Sequence, residues 1–260
     1  MVPAILGAAR FSRWGFLICM DLMVGLSAWE FFRLAQRKGA NPNIYLGIFL
    51  TLGASWSFFI GGTTYATWTA LVSVLLLLGV ELARSGAGSF LINIGAVLFG
   101  VFYTGWLGSV PLLLQRHPEA RSFADSADLV VVAFASIWIM DTMAYFVGRR
   151  FGRRRLLPKI SPGKTVEGAW AGAFGAVVSM FVGSWILDFL SYGEALVMGL
   201  IVASTGQIGD LVESKMKRDA GVKDTSSIIP GHGGVLDRFD SMFFAFPLIY
   251  LYADLFGVFQ

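Results

Sequence analysis

Residues 130–141 read V-V-V-A-F-A-S-I-W-I-M-D. Taken as 128–148, this run supplies the roughly 20 apolar residues that a helix needs to cross a hydrocarbon core about 30 Å thick. It predicts a transmembrane helix carrying a carboxylate, Asp141, inside it. Placing such a charge in lipid costs about 2.5–3.5 kcal/mol even on a lenient insertion scale, so Asp141 is expected to have a partner. Asp141, Tyr145 and Gly148 share one helical face, which directs the carboxylate and the phenol into a bundle. A structural ion pair is the bland alternative, but the basic loop that follows favours a functional role.

Outward from this helix the same ruler finds seven further candidate spans, near 14–34, 44–61, 64–82, 89–114, 168–190, 193–212 and 240–258. With 56% hydrophobic and only 14% charged residues over 260 positions, the chain departs far from the roughly 25% charged of a soluble domain. The expectation is all-α, a polytopic transmembrane bundle of about eight helices. Residues 1–127 form the N-terminal helices, and 128–260 the catalytic helices and loops of one membrane domain. Nine helices is the alternative, through a further N-terminal helix or a split of 89–114, where Gly95, Gly100, Gly105, Gly108 and Pro111 invite a kink. A tight turn is expected at Gly61-Gly62, and Gly79, Gly86 and Gly88 separate the third span from the fourth. The first span has no cleavage site and is read as an anchor. Asp21 and Glu30 within it are read as structural, Glu30 snorkelling or pairing with Arg33. The single cysteine, Cys19, excludes an intrachain disulfide framework. His117 is read as a solvated loop residue.

Twelve of the twenty Lys and Arg residues lie in two places, seven in 149–164 and five in 211–240. By the positive-inside rule both face the cytoplasm, as do the loops at 33–43 and 83–88, whereas the loop from Asp188 to Glu194 lies outside. Arginines 149–155 are largely explained by this rule and by attraction to anionic headgroups. In Ser161-Pro162-Gly163-Lys164-Thr165 a Ser N-cap with Pro at the first helical position predicts a helix start, with Ser161 and Lys164 at an anion. It is not a P-loop, because Pro158 occupies the position of the required glycine and no strand is expected before it.

The richest stretch is Gly209–Ser241, G-D-L-V-E-S-K-M-K-R-D-A-G-V-K-D-T-S-S-I-I-P-G-H-G-G-V-L-D-R-F-D-S. Such a density of both charge signs is not needed to span lipid; it suits a phosphate-rich substrate held through a cation. Asp210, Glu213, Ser214 and Lys217 fall on one helical face, and Glu213 with Lys217 is read as a helix pair. Gly231, Gly233 and Gly234 around His232 could turn successive N–H groups toward an anion.

Position for position, Ser214-Lys215-Met216-Lys217-Arg218, Lys223-Asp224, Pro230-Gly231-His232-Gly233-Gly234 and Asp237-Arg238-Phe239-Asp240 resemble the signature of phosphatidate cytidylyltransferases, also called CDP-diacylglycerol synthases. A second block resembles the same family: Asp141-x-x-Ala144-Tyr145-Phe146-x-Gly148-Arg149, Phe151-Gly152 and Pro158-x-Ile160-Ser161-Pro162-x-Lys164-Thr165-x-Glu167-Gly168. Before residue 128 only hydropathy agrees.

The resemblance implies transfer of cytidylyl from CTP to phosphatidic acid, yielding CDP-diacylglycerol and pyrophosphate, at the cytoplasmic face of a bacterial-type inner membrane. It implies one or two Mg²⁺ ions on Asp210 and Asp237, with Asp141 and Asp240 as further contributors. Oxygen ligands of this kind suit a hard cation that retains waters and substrate phosphates. Lys164, Lys217, Arg218, Lys223 and Arg238 are expected on phosphates, with Ser161, His232, Gly233 and Gly234 at the substrates. Partners are these substrates and membrane lipids, with a homodimer as the candidate assembly and no nucleic acid. A CTP-dependent lipid-alcohol kinase and a membrane transporter are the alternatives. The transporter reading is disfavoured, since the charges cluster at one membrane face and no repeat is present. A CDP-alcohol phosphotransferase lacks its D-G-x-x-A-R opening here.

Overall fold

The structure, a computed structural model, describes residues 2–84, 89–229, 231 and 233–259. The loop expected at 83–88 therefore lies largely outside the described residues. Helices dominate: α1 (Val2–Phe11), α2 (Arg13–Arg37), α3 (Ile44–Ala83), α4 (Phe90–Gly100), α5 (Gly108–Gln115), α6 (Phe123–Phe151), α7 (Val166–Gly183), α8 (Tyr192–Ile201), α9 (Gln207–Asp219) and α10 (Leu236–Phe256). Two strands, β1 (Arg155–Leu157) and β2 (Ser161–Thr165), pair antiparallel between α6 and α7.

Among the described residues seven helical stretches are long and apolar enough to cross a membrane. One of them, α3, has 40 residues, about 60 Å of helix and twice the hydrocarbon thickness. Gly62 breaks it at φ 61, ψ −146, a conformation open to glycine and hostile to a side chain. The chain then doubles back: a Cβ on Gly53 would lie 3.7 Å from Thr69 Cγ2, whereas a straight helix would separate these residues by about 24 Å. The expected turn at Gly61-Gly62 is thus present, and the seven stretches carry the eight expected spans. The 89–114 span does not split. Residues 101–107 wind as a π-helix that joins α4 to α5 without a break, and Thr104 Oγ1 donates to Gly100 O at 2.7 Å. Helix α1 has ten residues, too short to span.

The chain folds as two compact units. The first comprises Met1–Arg13, Leu114–Lys215 and Asp240–Gln260, the second Trp14–Leu113 and Met216–Phe239. In the second, α2, α3 and α4 close on the ring of Phe32, which is fully buried. A Cβ at either Gly47 or Gly100 would collide with that ring. Asp21 is satisfied structurally, accepting from Ser55 Oγ at 2.6 Å and Trp56 Nε1 at 3.0 Å. Glu30 departs from expectation. It is fully buried and bonds to residues beyond 224 rather than reaching for water.

In the first unit α6 and α7 approach so closely that a Cβ on Gly168 would lie 2.6 Å from Ala144 O, and one on Gly172 2.9 Å from Met140 O. Such small-residue crossings are how helices associate in lipid. The cap of α7 is a correction. Ser161 does not start a helix; Ser161–Thr165 pairs with Arg155–Leu157. Thr165 instead caps α7, its Oγ1 accepting from Gly168 N at 3.1 Å. Extended pairing satisfies the backbone of 161–165 locally, and the Thr hydroxyl is as competent a cap as Ser.

His117 is also not solvated. Its side chain is buried, with Nδ1 accepting from Glu119 N at 3.3 Å and Nε2 3.6 Å from Asp254 Oδ1. Burial lowers its pKa, opposed by the charges of Asp254 and Glu119. A histidine whose folded pKa is depressed contributes stability above its ordinary value of about 6.5, and that contribution is lost as pH falls through the lowered value. The apparent melting temperature in detergent should therefore fall, as pH drops below about 6.5, more steeply than in His117→Gln. Parallel pH profiles would remove His117 from that account.

Candidate active site

Within the first unit three elements bring acidic groups together. Helix α9 starts after a π-helical turn at 202–206 and carries Asp210 and Glu213, one helical turn apart. Gly209 lets α9 meet α10, since a Cβ there would lie 2.6 Å from Asp240 O. The ligand atoms of Asp210, Glu213 and Asp240 all fall within 4.8 Å of one another. Glu213 is fully buried and Asp240 nearly so. Asp240 Oδ1 accepts from Ser241 N at 2.6 Å, and Ser214 Oγ lies 3.4 Å from Asp210 Oδ1. Asp141 is near enough to act electrostatically on Asp240, as are Asp210 and Lys164. Contrary to expectation Asp141 is not enclosed; it and Tyr145 are exposed, and the Tyr145 hydroxyl accepts from Arg149 at 3.0 Å.

Strand β2 delivers Lys164 to Asp210, with which it forms an ion pair. Glu167, in the first turn of α7, fixes the chain just ahead of β1, its carboxylate accepting from Arg153 N and Arg154 N at 3.0 and 3.2 Å. Val166 N donates to Arg154 O at 2.9 Å. Ser161 sits at the other end of β2, opposite Leu157. Like charges converging on three carboxylates are unfavourable unless a cation or protons offset them. The donor set, all oxygen, fits a hard divalent cation.

The second unit holds the other charged cluster. Lys217 Nζ lies 2.6 Å from Asp237 Oδ1, both side chains being largely buried. Asp237 Oδ2 accepts from Gly234 N at 2.7 Å, Thr225 Oγ1 at 2.9 Å and Thr225 N at 3.0 Å. Gly234 N–H is thus directed at Asp237, and Gly233, at φ 82, accepts from Ile229 N at 3.0 Å. Arg218 donates to Val222 O at 3.2 Å, while Lys223 and Arg238 are exposed. His232 lies outside the described residues.

The sequence reading placed Glu213 in a helix pair and did not put it among the cation ligands. Its three-residue spacing from Asp210 was the available signal. Comparison with known proteins places nearly the whole chain in a family. A family model described as the cytidylyltransferase family matches residues 1–256. A protein of Synechocystis sp. named phosphatidate cytidylyltransferase is 34% identical over 290 aligned positions, covering 98% of this chain and 96% of its own length. One of the same name from Bacillus subtilis is 34% identical over 93% of this chain and 90% of its own length. In Staphylococcus aureus a relative so named reaches 45% identity over half of each chain. Matched by that family model from residue 1 to 256 and by relatives 34% identical over nearly their whole length, the chain belongs to the cytidylyltransferase family.

Proposed function

We propose that this protein transfers cytidylyl from CTP to phosphatidic acid, releasing pyrophosphate and CDP-diacylglycerol, with Asp210, Glu213 and Asp240 as the cation-holding set. The observation that carries this reading is the convergence of those three carboxylates beside Lys164. The attacking group is a phosphomonoester with a second pKa near 6, already largely dianionic at neutral pH. No side chain has to remove a proton from it, so the residues need only hold and orient three anionic groups. Lys164 is the group best placed to exchange partners, passing from Asp210 to an incoming phosphate oxygen. Lys217, with Arg218, Lys223 and Arg238, is assigned to phosphates in the second cluster. Asp237 Oδ1, now against the Lys217 ammonium, is assigned to the second cation position. When bound, Mg²⁺ offsets charge developing at the α-phosphorus and on the leaving pyrophosphate.

The deciding experiment incubates purified protein in mixed micelles with phosphatidic acid, a lipid alcohol such as diacylglycerol, and CTP labelled separately in cytidine and in the γ-phosphate. Cytidine in the lipid product is expected. Label from the γ-phosphate alone would instead mark an alcohol kinase, and no labelled lipid would leave the transporter reading. The reaction is assigned to the cytoplasmic face. Cysteine variants at Arg154 and Lys223 should be protected from an impermeant reagent in intact cells, and one at Tyr192 modified. The reverse pattern would invert this topology.

A further inference from the structure

Glu30, on α2, is fully buried, and a carboxylate out of water has to be met by donors. It is met by four. Oε1 accepts from Ser226 Oγ at 2.5 Å and Val235 N at 3.0 Å; Oε2 accepts from Leu236 N at 2.7 Å and Thr225 Oγ1 at 3.0 Å. These donors stand at both ends of one segment. Thr225 and Ser226 open it, and Val235 with Leu236, the first residue of α10, closes it. The free N–H groups of a helix start favour a negative charge, so Glu30 both satisfies α10 and fixes where the segment returns to it.

Thr225 links this carboxylate to the next. Its Oγ1 is shared between Glu30 Oε2 and, at 2.9 Å, Asp237 Oδ2, which also takes Thr225 N at 3.0 Å. Asp237 Oδ1 in turn holds Lys217 Nζ. The space between is closed as well: a methyl on Gly234 would collide with Thr225 Oγ1 and lie 2.6 Å from both Glu30 oxygens. We propose that Glu30 is a positioning residue for the transfer reaction. It clamps both ends of the segment from Thr225 to Leu236 and, through Thr225, sets the orientation of Asp237 and Lys217. The inference rests on the reading that Asp237 and Lys217 serve the reaction. The clamp itself is a matter of geometry and can be tested apart from it.

Glu30→Gln keeps the shape, but whichever way the amide turns, its NH₂ faces a backbone N–H, of Val235 or of Leu236. One of those donors is lost. Expected in detergent-solubilised full-length protein is a kcat lower by about tenfold or more, with KM for CTP and phosphatidic acid within about threefold. Tryptic cleavage after Lys223, just ahead of the clamped segment, should accelerate about tenfold while cleavage within Arg153–Arg155 is unchanged. Thr225→Val should lower kcat on its own, and the double variant should be no worse than about the poorer single one. Unchanged kcat, acceleration at both cleavage sites alike, or additive losses would each overturn the proposal. If Glu30→Gln does not fold, Thr225→Val carries the same kcat and cleavage tests. Faster cleavage after Lys223 together with full activity in Asp237→Asn would show that the clamp exists and that the catalytic assignment of Asp237 is what failed.

Discussion

Asp210→Asn is expected to lower kcat by roughly a thousandfold, the upper range for loss of one charge-stabilising group in an active site. The side chain keeps its size, so α9 should still pack on α10. What changes is the charge. Asp210 shares a cluster with Glu213 and Asp240, and a hard cation held by one or two carboxylates loses much of its affinity when one becomes an amide. The same substitution frees Lys164 from its ion pair, which by itself would help phosphate binding. KM for CTP should therefore rise far less than kcat falls. Asp240→Asn should behave similarly, because its burial makes its charge depend on the same neighbours. Turnover within tenfold of the unsubstituted protein at ordinary magnesium concentration would show that Asp210 does not hold the metal. Gel filtration and circular dichroism of the variant would confirm that the loss is not one of folding.

Lys217→Met should lower kcat by about a hundredfold or more, since it removes a cation assigned to phosphate. It should also destabilise the fold, by about 3–5 kcal/mol if Asp237 behaves as a buried charge deprived of its partner. The double variant Lys217→Met/Asp237→Asn separates these effects. Removing both charges relieves the uncompensated carboxylate, so the apparent melting temperature should return most of the way while activity stays low. Recovery of activity along with stability would mean that the pair is only structural.

The candidate site was legible where chemistry is local. Asp210, Lys164, Lys217 and Asp237 are singled out through the resemblance to a family signature, and their local chemistry, carboxylates for a hard cation and ammonium groups for phosphate, suits the roles proposed for them. Glu213 was named on the correct helical face, but its burial with Asp240 depends on how near α9 comes to α10, and that is set by Gly209 meeting the Asp240 carbonyl. The Ser161 cap was misread because Ser-Pro opens helices in isolation. Pairing with Arg155–Leu157 decided otherwise.

What the sequence by itself determined was the membrane class, a count of about eight spans and the turn at Gly62. Each follows from a length of apolar chain against a fixed hydrocarbon thickness, or from a residue tolerant of positive φ. Only the tertiary structure decided the partners of buried charge. Glu30 bonds to Ser226, 196 residues away, and Lys217 to Asp237, 20 away. A carboxylate beside Arg33 reads locally as a surface pair. The cost of an unsatisfied buried charge makes its partner a property of the folded chain.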